Sequence, residues 1–563
     1  MSKSLSAMTP SAAHADSAQS RKARGAFFTP PELCDYVVDW AVRDRHDIVL
    51  EPSCGEAAFL LTAGARLRTL NDGGHYGPGQ LCGLELHEQS ARAARLRLAS
   101  LDLGAQIEIG DFFAANPAPR FDAVVGNPPY VRYQDFSGDA RARGRAAALR
   151  AGVSLTGLAS SWAAFTVHAA LFLKPGGRLG LVLPAELLSV NYAAGVRRYL
   201  MERFARVRLV LFSERVFPGV MEEVVLLLAE GNGPTAHCEL HQLAGLAGLK
   251  TVDRAGRRWT PVPPEGKWTA SLMSSAAWEA YSEVASSPAF STLHDWGETT
   301  LGMVTGNNRY FALSPARVAE LQLSATDTIP LSPPGSRHLR GLTFGAPAWK
   351  ALGKMGKSTM LFRPASDPSP AALEYIEDGE AANVHGAYKC RVRSPWWRVP
   401  LVRPPDVFLT YMNADTPRLC ANRAHCHHLN SVHGLYLHPG MRRLGADLLP
   451  PAALNSMTLL GAETVGRAYG GGLLKLEPRE ADRLPVPSRE SLLAASQVLS
   501  ALRPHVAKAL QSGRLLDAVR LVDDALLVGR LGIPQAQVEA LRQAHANMSA
   551  RRTARGADPR VPD

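Results

Sequence analysis

The sequence is short of several features, and each shortage excludes a class of protein. Only seven of the 563 residues are cysteine, and their wide spacing argues against a disulfide framework and favours reduced thiols. No apolar run approaches the roughly 18 residues of a membrane helix, and the Ser- and Ala-rich N-terminus lacks the apolar core of a signal peptide. Charged residues make up only 20% of the chain against 46% hydrophobic residues, which excludes a largely disordered protein. We expect a cytoplasmic protein without a membrane segment.

Positive charge is in excess. The chain has 62 Lys and Arg against 51 Asp and Glu, a formal charge of +11. This balance favours an anionic partner, with nucleic acid as the first candidate, although a merely basic enzyme could have the same composition. At about 100–200 residues per domain, the length predicts two to four domains.

Strand-like and helix-like patterns alternate through the first part of the chain. This alternation predicts a doubly wound α/β sheet that binds its ligands at the carboxyl ends of the strands. The first predicted helix starts at Thr29, where Thr29-Pro30-Pro31-Glu32 has the spacing of a capping box. The other predicted helices cover residues 57–70, 88–100, 161–173 and 186–204, and the strands cover residues 48–50, 81–84, 107–109, 121–125, 178–183, 207–212 and 223–229.

The loop after the first strand indicates the kind of cofactor. Residues 51–59 follow a strand and open a helix, yet they lack the three glycines that bring a backbone against a pyrophosphate. A cofactor with an adenosine but no phosphate needs a small-residue loop, a carboxylate for the ribose hydroxyls and an acceptor for the adenine amine. S-adenosylmethionine is such a cofactor, and Glu85 and Asp111 follow later strands, in position for the two adenosine roles. Each acid alone could be a strand-end or helix-capping residue, but the ordered set favours cofactor binding.

The segment Gly126-Asn127-Pro128-Pro129-Tyr130 is the most specific signal. An exocyclic amine attached to an aromatic ring is a poor nucleophile, so an enzyme that methylates it must accept its hydrogens. The Asn127 side-chain oxygen and the Pro128 carbonyl can do so, while the prolines fix the loop and Tyr130 offers a stacking face. A plain Asn-Pro turn is the alternative, and the preceding series of acids argues against it.

Taken together, these motifs resemble the gamma-class N6-adenine DNA methyltransferases of Type II restriction–modification systems over residues 26–230. Phe27-Phe28-Thr29-Pro30 is similar to that family's N-terminal cofactor motif, and residues 51–59 to its first glycine-loop motif. One departure is Ala57, where family loops often carry a second glycine. The resemblance implies cofactor contacts by Thr29, Glu51, Ser53, Gly55, Glu85, Asp111, Phe112 and Phe165. It implies catalytic roles for Asn127, Pro128 and Tyr130, and for Phe217 as an aromatic that faces the flipped base.

The family resemblance also implies the architecture. We expect a Rossmann-like class I methyltransferase sheet of seven strands with helices on both faces, then a mixed α+β DNA-recognition domain and a helical tail. The expected boundaries are a disordered tail (1–24), the methyltransferase domain (25–235), a connector (236–289), the recognition domain (290–490), C-terminal helices (491–550) and a basic, frayed tail (551–563).

Several polar clusters are assigned less specifically. In the second domain we expect DNA contacts from Asn307, Lys389, Arg391, Arg393 and Trp396, on looser resemblance to the family's target-recognition segments. For Trp396, a place in the domain core is the alternative. Arg141, Arg143, Arg145 and Arg150 are interpreted as a solvated face, with phosphate contact as the alternative. The cluster from Cys420 to His428 lacks paired C-x-x-C elements, so no metal is expected.

The activity implied is site-specific transfer of a methyl group from S-adenosylmethionine to N6 of a flipped adenine in double-stranded DNA, in a prokaryotic cytoplasm. The expected role is protection of host DNA, with any restriction endonuclease encoded separately. Two alternatives stay open. One is a methyltransferase acting on RNA or on a protein glutamine, and the other is an inactive methyltransferase fold that serves as a DNA-binding specificity protein.

Overall fold

The computed structural model describes residues 29–214, 216–217, 223–252 and 256–556, apart from the side chains of residues 470, 555 and 556. The chain divides into two compact units, one ending at Leu272 and the other beginning at Met273. The tail predicted over residues 1–24 lies outside the described residues, as do Phe27 and Phe28 of the predicted cofactor motif. Among the residues that are described, no helix combines the length and apolar character needed to span a membrane.

The first unit is built on a nine-stranded sheet with the order β3-β2-β1-β4-β5-β7-β6-β8-β9. Strands β1 to β5 are parallel, β7 runs antiparallel to β5 and β6, and β9 runs antiparallel to β8. The strands are β1 Val49–Glu51, β2 Leu81–Glu85, β3 Gln106–Ile109, β4 Phe121–Gly126, β5 Leu173–Pro184, β6 Arg206–Phe212, β7 Val224–Glu230, β8 Cys238–Leu243 and β9 Arg257–Trp259. The helices are α1 Pro31–Ala41, α2 Ala58–Leu70, α3 Glu88–Ser100, α4 Gly138–Arg150, α5 Ser161–Ala170, α6 Glu186–Ser189 and α7 Ala194–Arg203.

The sheet is larger than the seven strands expected from the sequence. Strands β8 and β9 lie in residues 236–289, which were expected to be a connector, and β8 pairs in parallel with β6. Their short length and mixed polarity hide them in the sequence, because Cys238–Leu243 carries polar and partly exposed residues among its buried ones and β9 has only three residues. The first unit therefore extends past residue 235.

Two predicted helices differ in detail. Helix α1 begins at Pro31 with Pro30 as its N-cap, and no side chain caps it, so the capping box predicted at Thr29 is wrong. The helix predicted over 186–204 is split into α6 and α7. Arg197, which is 1% exposed, donates to the carbonyl oxygens of Leu187 and Val190 at 2.8 and 3.1 Å, and so satisfies groups that a continuous helix would have paired.

Helix α1 lies close against the centre of the sheet. Its Leu33, Val37 and Val38 are fully buried, and the helix packs on β4 and β5. A Cβ atom at Gly180 of β5 would lie only 2.7 Å from Val37 Cγ1, so glycine is needed for this approach. Burial of aliphatic side chains of this size contributes about 1.5–3 kcal/mol each, which fixes the start of α1 relative to the two strands.

The second unit is a mixed α+β structure. Its largest sheet has the order β11-β19-β16-β18-β14, in which β14 and β18 are parallel and the other pairs antiparallel. The strands are β10 Phe290–Thr292, β11 Gly297–Leu301, β12 Ala312–Leu313, β13 Thr328–Pro330, β14 Thr343–Gly345, β15 Met360–Phe362, β16 Val407–Thr410, β17 Met412–Asn413, β18 Leu419–Arg423, β19 Val432–Leu437, β20 Arg467–Tyr469, β21 Leu473–Lys475 and β22 Pro485–Pro487. The helices up to residue 481 are α8 Ser275–Ser286, α9 Asn308–Phe311, α10 Pro315–Glu320, α11 Ala346–Lys354, α12 Pro370–Ala381, α13 Tyr388–Arg391, α14 Arg442–Ala452, α15 Ser456–Val465 and α16 Pro478–Ala481.

The C-terminal helices are part of the second unit. They are α17 Arg489–Ala494, α18 Ser496–Gln511, α19 Leu515–Val522 and α20 Gln535–Gly556. Residues 551–556, the start of the basic tail that was expected to fray, form instead the last turn of α20, while residues 557–563 lie outside the described residues. Arg552 is 3% exposed, and it donates from Nε to Glu463 Oε1 and Oε2 of α15 at 3.2 and 3.1 Å. The buried ion pair explains why this end of the helix is ordered.

Candidate active site

The polar residues predicted at the strand ends lie along one edge of the sheet. Glu51 and Glu85 are the last residues of β1 and β2, Asp111 follows β3, and Asn127 follows β4. These four strands are parallel neighbours in the order β3-β2-β1-β4. Three carboxyl groups therefore line the edge in the order Asp111, Glu85, Glu51, and Asn127 stands next in the row.

Glu51 holds the loop that follows β1. Its carboxyl group is 2% exposed and accepts a hydrogen bond from the backbone of Leu60, in the first turn of α2, at 3.0 Å. Burial raises the pKa of Glu51 well above its ordinary value, against the lowering effect of the backbone hydrogen bonds. The side chain is thus packed under the loop, a structural duty beyond the cofactor contact that the family resemblance implies.

The same loop has two residues with left-handed backbone angles. Gly55 has φ +50°, and Ala57 has φ 66° and ψ 35° at the N-cap of α2. The left-handed region is costly for a residue with a Cβ atom, so a glycine at position 57 is the natural choice for this loop. Ser53, the remaining predicted cofactor residue of the loop, is partly exposed.

Glu85 ties the loop to the next strand. Its Oε2 accepts from the backbone N–H of Gly55 at 2.8 Å, and its Oε1 accepts from the backbone of His87 at 2.8 Å. A carboxylate has about four lone-pair sites, so both oxygens keep capacity for further donors such as ribose hydroxyls.

Asp111 has a partner that the sequence interpretation missed. Its Oδ1 accepts from the backbone of Phe113 at 2.9 Å, and its Oδ2 accepts from Arg143 Nε of α4 at 2.6 Å. Arg143 was expected on a solvated face or against phosphate. Nothing local in the sequence indicates the pair, because the two residues are 32 positions apart and meet only when α4 packs back on the segment after β3.

Phe112 and Phe165 belong to one aromatic cluster. Their rings stack with centroids 5.2 Å apart, and both are buried. His168, fully buried on α5, lies edge-on to Phe112 with centroids 4.7 Å apart, and its Nε2 is 3.1 Å from the Phe112 carbonyl oxygen. Burial lowers the pKa of His168 to about 4, so the ring is neutral at physiological pH. The cluster forms an apolar wall directly after Asp111.

Asn127 and Tyr130 form a hydrogen-bonded group at the end of β4. The Tyr130 hydroxyl lies 2.6 Å from Asn127 Oδ1 and 2.9 Å from the carbonyl oxygen of Val182 on β5. The Asn127 Nδ2 group donates to Thr29 Oγ1 at 3.2 Å. Ser161, at the start of α5, accepts from the backbone of Val131 at 2.9 Å and so holds the exit of the segment. Pro128 is buried, whereas Asn127 and Tyr130 are partly exposed.

Phe217 lies inside the first unit. It is 4% exposed and belongs to the main hydrophobic cluster, against which the Tyr130 ring also packs. Residues 215 and 218–222, on either side of Val216 and Phe217, lie outside the described residues. Its expected role beside a flipped base stays a prediction.

The residues along the edge fit S-adenosylmethionine. Gly126 borders the β1 loop, where a Cβ atom would lie in ordinary contact, 3.7 Å from both Glu51 Cγ and Pro52 Cδ. Lone pairs on Glu85 suit ribose hydroxyls, Asp111 suits an exocyclic amine, and Phe112, buried directly after Asp111, gives this end of the row an apolar neighbour. Within the described ranges, no group of three or more His, Cys, Asp or Glu is arranged to hold a metal ion.

In the second unit, three of the five predicted DNA contacts also have structural partners. Asn307 caps α9 by accepting from the Tyr310 backbone at 3.2 Å. Arg393 donates through Nη2 to the carbonyl oxygens of Val304 and Thr305, the latter at 2.6 Å. Trp396 donates to Glu380 at 2.9 Å and packs against the hydrophobic cluster around Tyr310.

The other two are exposed on α13. Lys389 Nζ and Arg391 Cζ lie 5.5 and 6.0 Å from the centre of the Tyr388 ring, and Tyr388 itself is 65% exposed. The sequence interpretation did not single out Tyr388 as a contact. A tyrosine directly before two basic residues, Lys389 and Arg391, is the signal that could have drawn attention to it.

The strand order and the row of acids define the first unit as a class I methyltransferase domain, a fold that uses S-adenosylmethionine. Residues 14–239 match the family model described as N-6 DNA Methylase, and residues 265–527 match the model described as Type II methyltransferase M.Eco57I, C-terminal domain. The first unit is thus similar to the N-6 DNA methylases and the second to the M.Eco57I C-terminal domain, and the chain is a site-specific DNA methyltransferase of the restriction–modification type.

Relatives match both units. The Type II methyltransferase M.XamI of Xanthomonas campestris pv. amaranthicola is 26% identical over 495 residues, which cover 84% of this chain and 86% of M.XamI. The Type II methyltransferase M.AccI of Acinetobacter calcoaceticus is 21% identical over 477 residues, or 83% and 86% of the two chains. Among solved structures, the type IIG restriction endonuclease BpuSI is similar at 13% sequence identity, over a stretch that covers 92% of this chain and 68% of the BpuSI chain. The TM-score of 0.42 is too low to carry an argument.

Proposed function

We propose that this methyltransferase acts on N6 of an adenine that is flipped out of double-stranded DNA. The observation that carries the proposal is the position of Asn127 and Tyr130 at the end of β4, next to the row of acids on β1 to β3. A base inside a stacked duplex cannot reach such a pocket, so the target must swing out at a cost of a few kcal/mol. Stacking on the partly exposed Tyr130 ring offsets part of that cost.

The chemistry required of the protein is modest. S-adenosylmethionine supplies, when bound, a methyl group activated by its sulfonium. Asn127 Oδ1 and the Pro128 carbonyl oxygen accept the two hydrogens of the adenine amine, which lets the nitrogen lone pair leave conjugation with the ring. The Tyr130 hydroxyl has one proton and two acceptors within 2.9 Å, Asn127 Oδ1 and the Val182 carbonyl oxygen. When that proton goes to Val182, both lone pairs of Oδ1 are available to the target amine.

The cofactor residues divide into contacts and supports. We propose that Glu85 binds the ribose hydroxyls and Asp111 the adenine amine, with Phe112 against the adenine ring. Phe165 supports Phe112 by stacking on it. Glu51, Ser53 and Gly55 shape the loop, in keeping with the buried Glu51 carboxyl group and the left-handed Gly55. The assignment of Asp111 is supported by its Oδ2 atom, which already accepts a hydrogen bond from an N–H group, that of Arg143 Nε.

For the second unit, we propose recognition of the DNA sequence over about residues 290–490, the range expected from the sequence. Exposed Lys389 and Arg391 are suited to phosphate or base contacts. Arg393 and Trp396 shape the adjoining segment through backbone and ring contacts. A restriction endonuclease, if paired with this enzyme, is proposed to be a separate protein, and the site of action is the prokaryotic cytoplasm, where host DNA lies.

Identification of the methylated nucleoside tests the proposal. The full-length protein is incubated with unmethylated plasmid DNA and S-adenosylmethionine carrying an isotope-labelled methyl group, and the DNA is digested to nucleosides for mass spectrometry. The proposal expects the label in N6-methyldeoxyadenosine alone, at a single sequence context. Label in a cytosine would overturn the proposal. So would label in RNA or protein offered in parallel while the DNA stays unlabelled.

A further inference from the structure

A hydrogen bond joins the start of the described chain to the catalytic segment. Asn127 Nδ2 donates to Thr29 Oγ1 at 3.2 Å, across 98 positions in sequence. The sequence pattern predicted two other uses for Thr29, as a helix cap and as a cofactor contact. It does not cap α1, whose N-cap is Pro30. Its hydroxyl is therefore available to the Asn127 side chain.

Thr29 is held firmly relative to Asn127. Pro30 and Pro31 restrict the backbone directly after it, and Pro31 is the first residue of α1. Helix α1 packs through Val37 on Gly180 of β5 and also lies against β4, the strand that ends next to Asn127. The donor and the acceptor are thus attached to elements that are packed on one another, which is the arrangement expected for a preorganised contact.

The contact determines which way the Asn127 amide faces. An amide carries an acceptor on one side and a donor on the other, and only the oxygen can accept a hydrogen from an adenine amine. With Nδ2 directed to Thr29, Oδ1 lies on the opposite side, 2.6 Å from the Tyr130 hydroxyl. Without an acceptor at Thr29, the amide can turn and present Nδ2 to the target, where two donors would face each other.

We infer that Thr29 is a positioning residue for methyl transfer, which orients the Asn127 amide through its hydroxyl oxygen. The inference rests on the proposed catalytic role of Asn127. It assigns Thr29 to the target-base side of the active site, whereas the family resemblance implied a cofactor contact.

The test compares Thr29→Val with Thr29→Ser in the full-length enzyme. Valine has nearly the shape of threonine but no hydroxyl, and serine restores the hydroxyl without the methyl group. Single-turnover methylation is measured at saturating S-adenosylmethionine and DNA, and cofactor affinity is measured separately by titration. A neutral hydrogen bond is worth a factor of about three to ten. Thr29→Val should therefore slow methyl transfer by about that factor, with an unchanged dissociation constant, and Thr29→Ser should recover the rate.

Thr69→Val is the matched control, because Thr69 is exposed on α2 and its hydroxyl donates to the carbonyl oxygen of Ala65 in its own helix. It should leave the rate unchanged. The inference is overturned if Thr29→Val transfers methyl at the wild-type rate, or if it weakens cofactor binding while the rate at saturation is kept. It is also overturned if serine is as slow as valine while both variants melt like the wild type, because packing would then be the cause. Failure of the wild type to methylate adenine would instead refute the proposed function.

Discussion

Removal of Arg552 should destabilise the second unit far more than removal of an exposed arginine. Its guanidinium group donates to both carboxylate oxygens of Glu463, and also to the carbonyl oxygens of Ala414, Asp415 and Gly472. The Arg552 and Glu463 side chains are only 3% and 4% exposed. One side chain near the C-terminus therefore joins α20 to α15 and to the loops before β18 and β21.

The magnitude follows from burial. Breaking a buried ion pair by removing one partner costs about 3–5 kcal/mol, because the remaining charge loses its counter-charge in a site that water cannot reach. We expect that loss for Arg552→Met. A double variant, Arg552→Met with Glu463→Leu, removes both charges and should recover most of the stability. Arg530→Ala, at an exposed position, should change stability by less than about 0.5 kcal/mol.

The assay needs to resolve the two units. Guanidinium denaturation of the full-length protein gives the free energy of unfolding, and hydrogen exchange measured by mass spectrometry assigns the loss to peptides from α15 and α20. Cofactor affinity should not change, because the expected cofactor residues are in the first unit. A loss below about 1 kcal/mol for Arg552→Met would refute the reasoning. So would a double variant as unstable as the single one.

Four further predictions follow from single side chains. Ala57→Gly removes the cost of about 1–2 kcal/mol that a Cβ atom pays in the left-handed region, and the greater freedom of glycine in the unfolded chain offsets about 0.4–1 kcal/mol of that gain. Calorimetry should therefore show a melting temperature equal to or higher than that of the wild type, not a lower one. Arg143→Gln removes a half-exposed ion pair with Asp111, worth about 1 kcal/mol or less, so titration with S-adenosylhomocysteine should show a change of at most about fivefold, and a loss beyond that would contradict it. Burial lowers the pKa of His168 from 6.5 to about 4, so the free energy of unfolding should fall as pH drops from 6.5 towards 4 and should not depend on this group above that window. In urea titrations over this range, His168→Gln should make the free energy of unfolding depend less on pH, and an unchanged pH dependence would count against the prediction. If Lys389 contacts a phosphate, Lys389→Gln should make the slope of log binding constant against log salt concentration less steep by about one. An unchanged slope in a filter-binding series would exclude that contact.

Much of the first unit could be predicted because its central strands, such as β1, β4 and β7, are buried on both faces. The predicted strand at 81–84 and β2 (Leu81–Glu85) differ by one residue, and the predicted helix at 88–100 coincides with α3. The acids that follow such strands could be placed along one edge from the parallel topology alone. Strands β8 and β9, the last two of the sheet on one side, escaped notice because they carry mixed polarity, which resembles that of a connector.

Side-chain partners between distant positions could not be predicted. Arg143 reaches Asp111, and Thr29 reaches Asn127, only through the way α4 and α1 pack on the sheet. An arginine-rich helix such as α4 has the same pattern whether it faces solvent or a carboxylate. Likewise, the sequence around Arg552 has the composition of a frayed tail, and its burial depends on Glu463, 89 positions earlier.

The most direct test of the account is the rate of methyl transfer by Asn127→Ala, measured in a single turnover beside its affinity for S-adenosylmethionine. We expect methylation of DNA to be lost while cofactor binding is largely kept, because the amide acts on the target amine and the row of acids at the ends of β1 to β3 is intact. The loss of a hydrogen bond made in the transition state should cost at least about tenfold. A variant that keeps more than about a tenth of the wild-type rate would contradict the central claim.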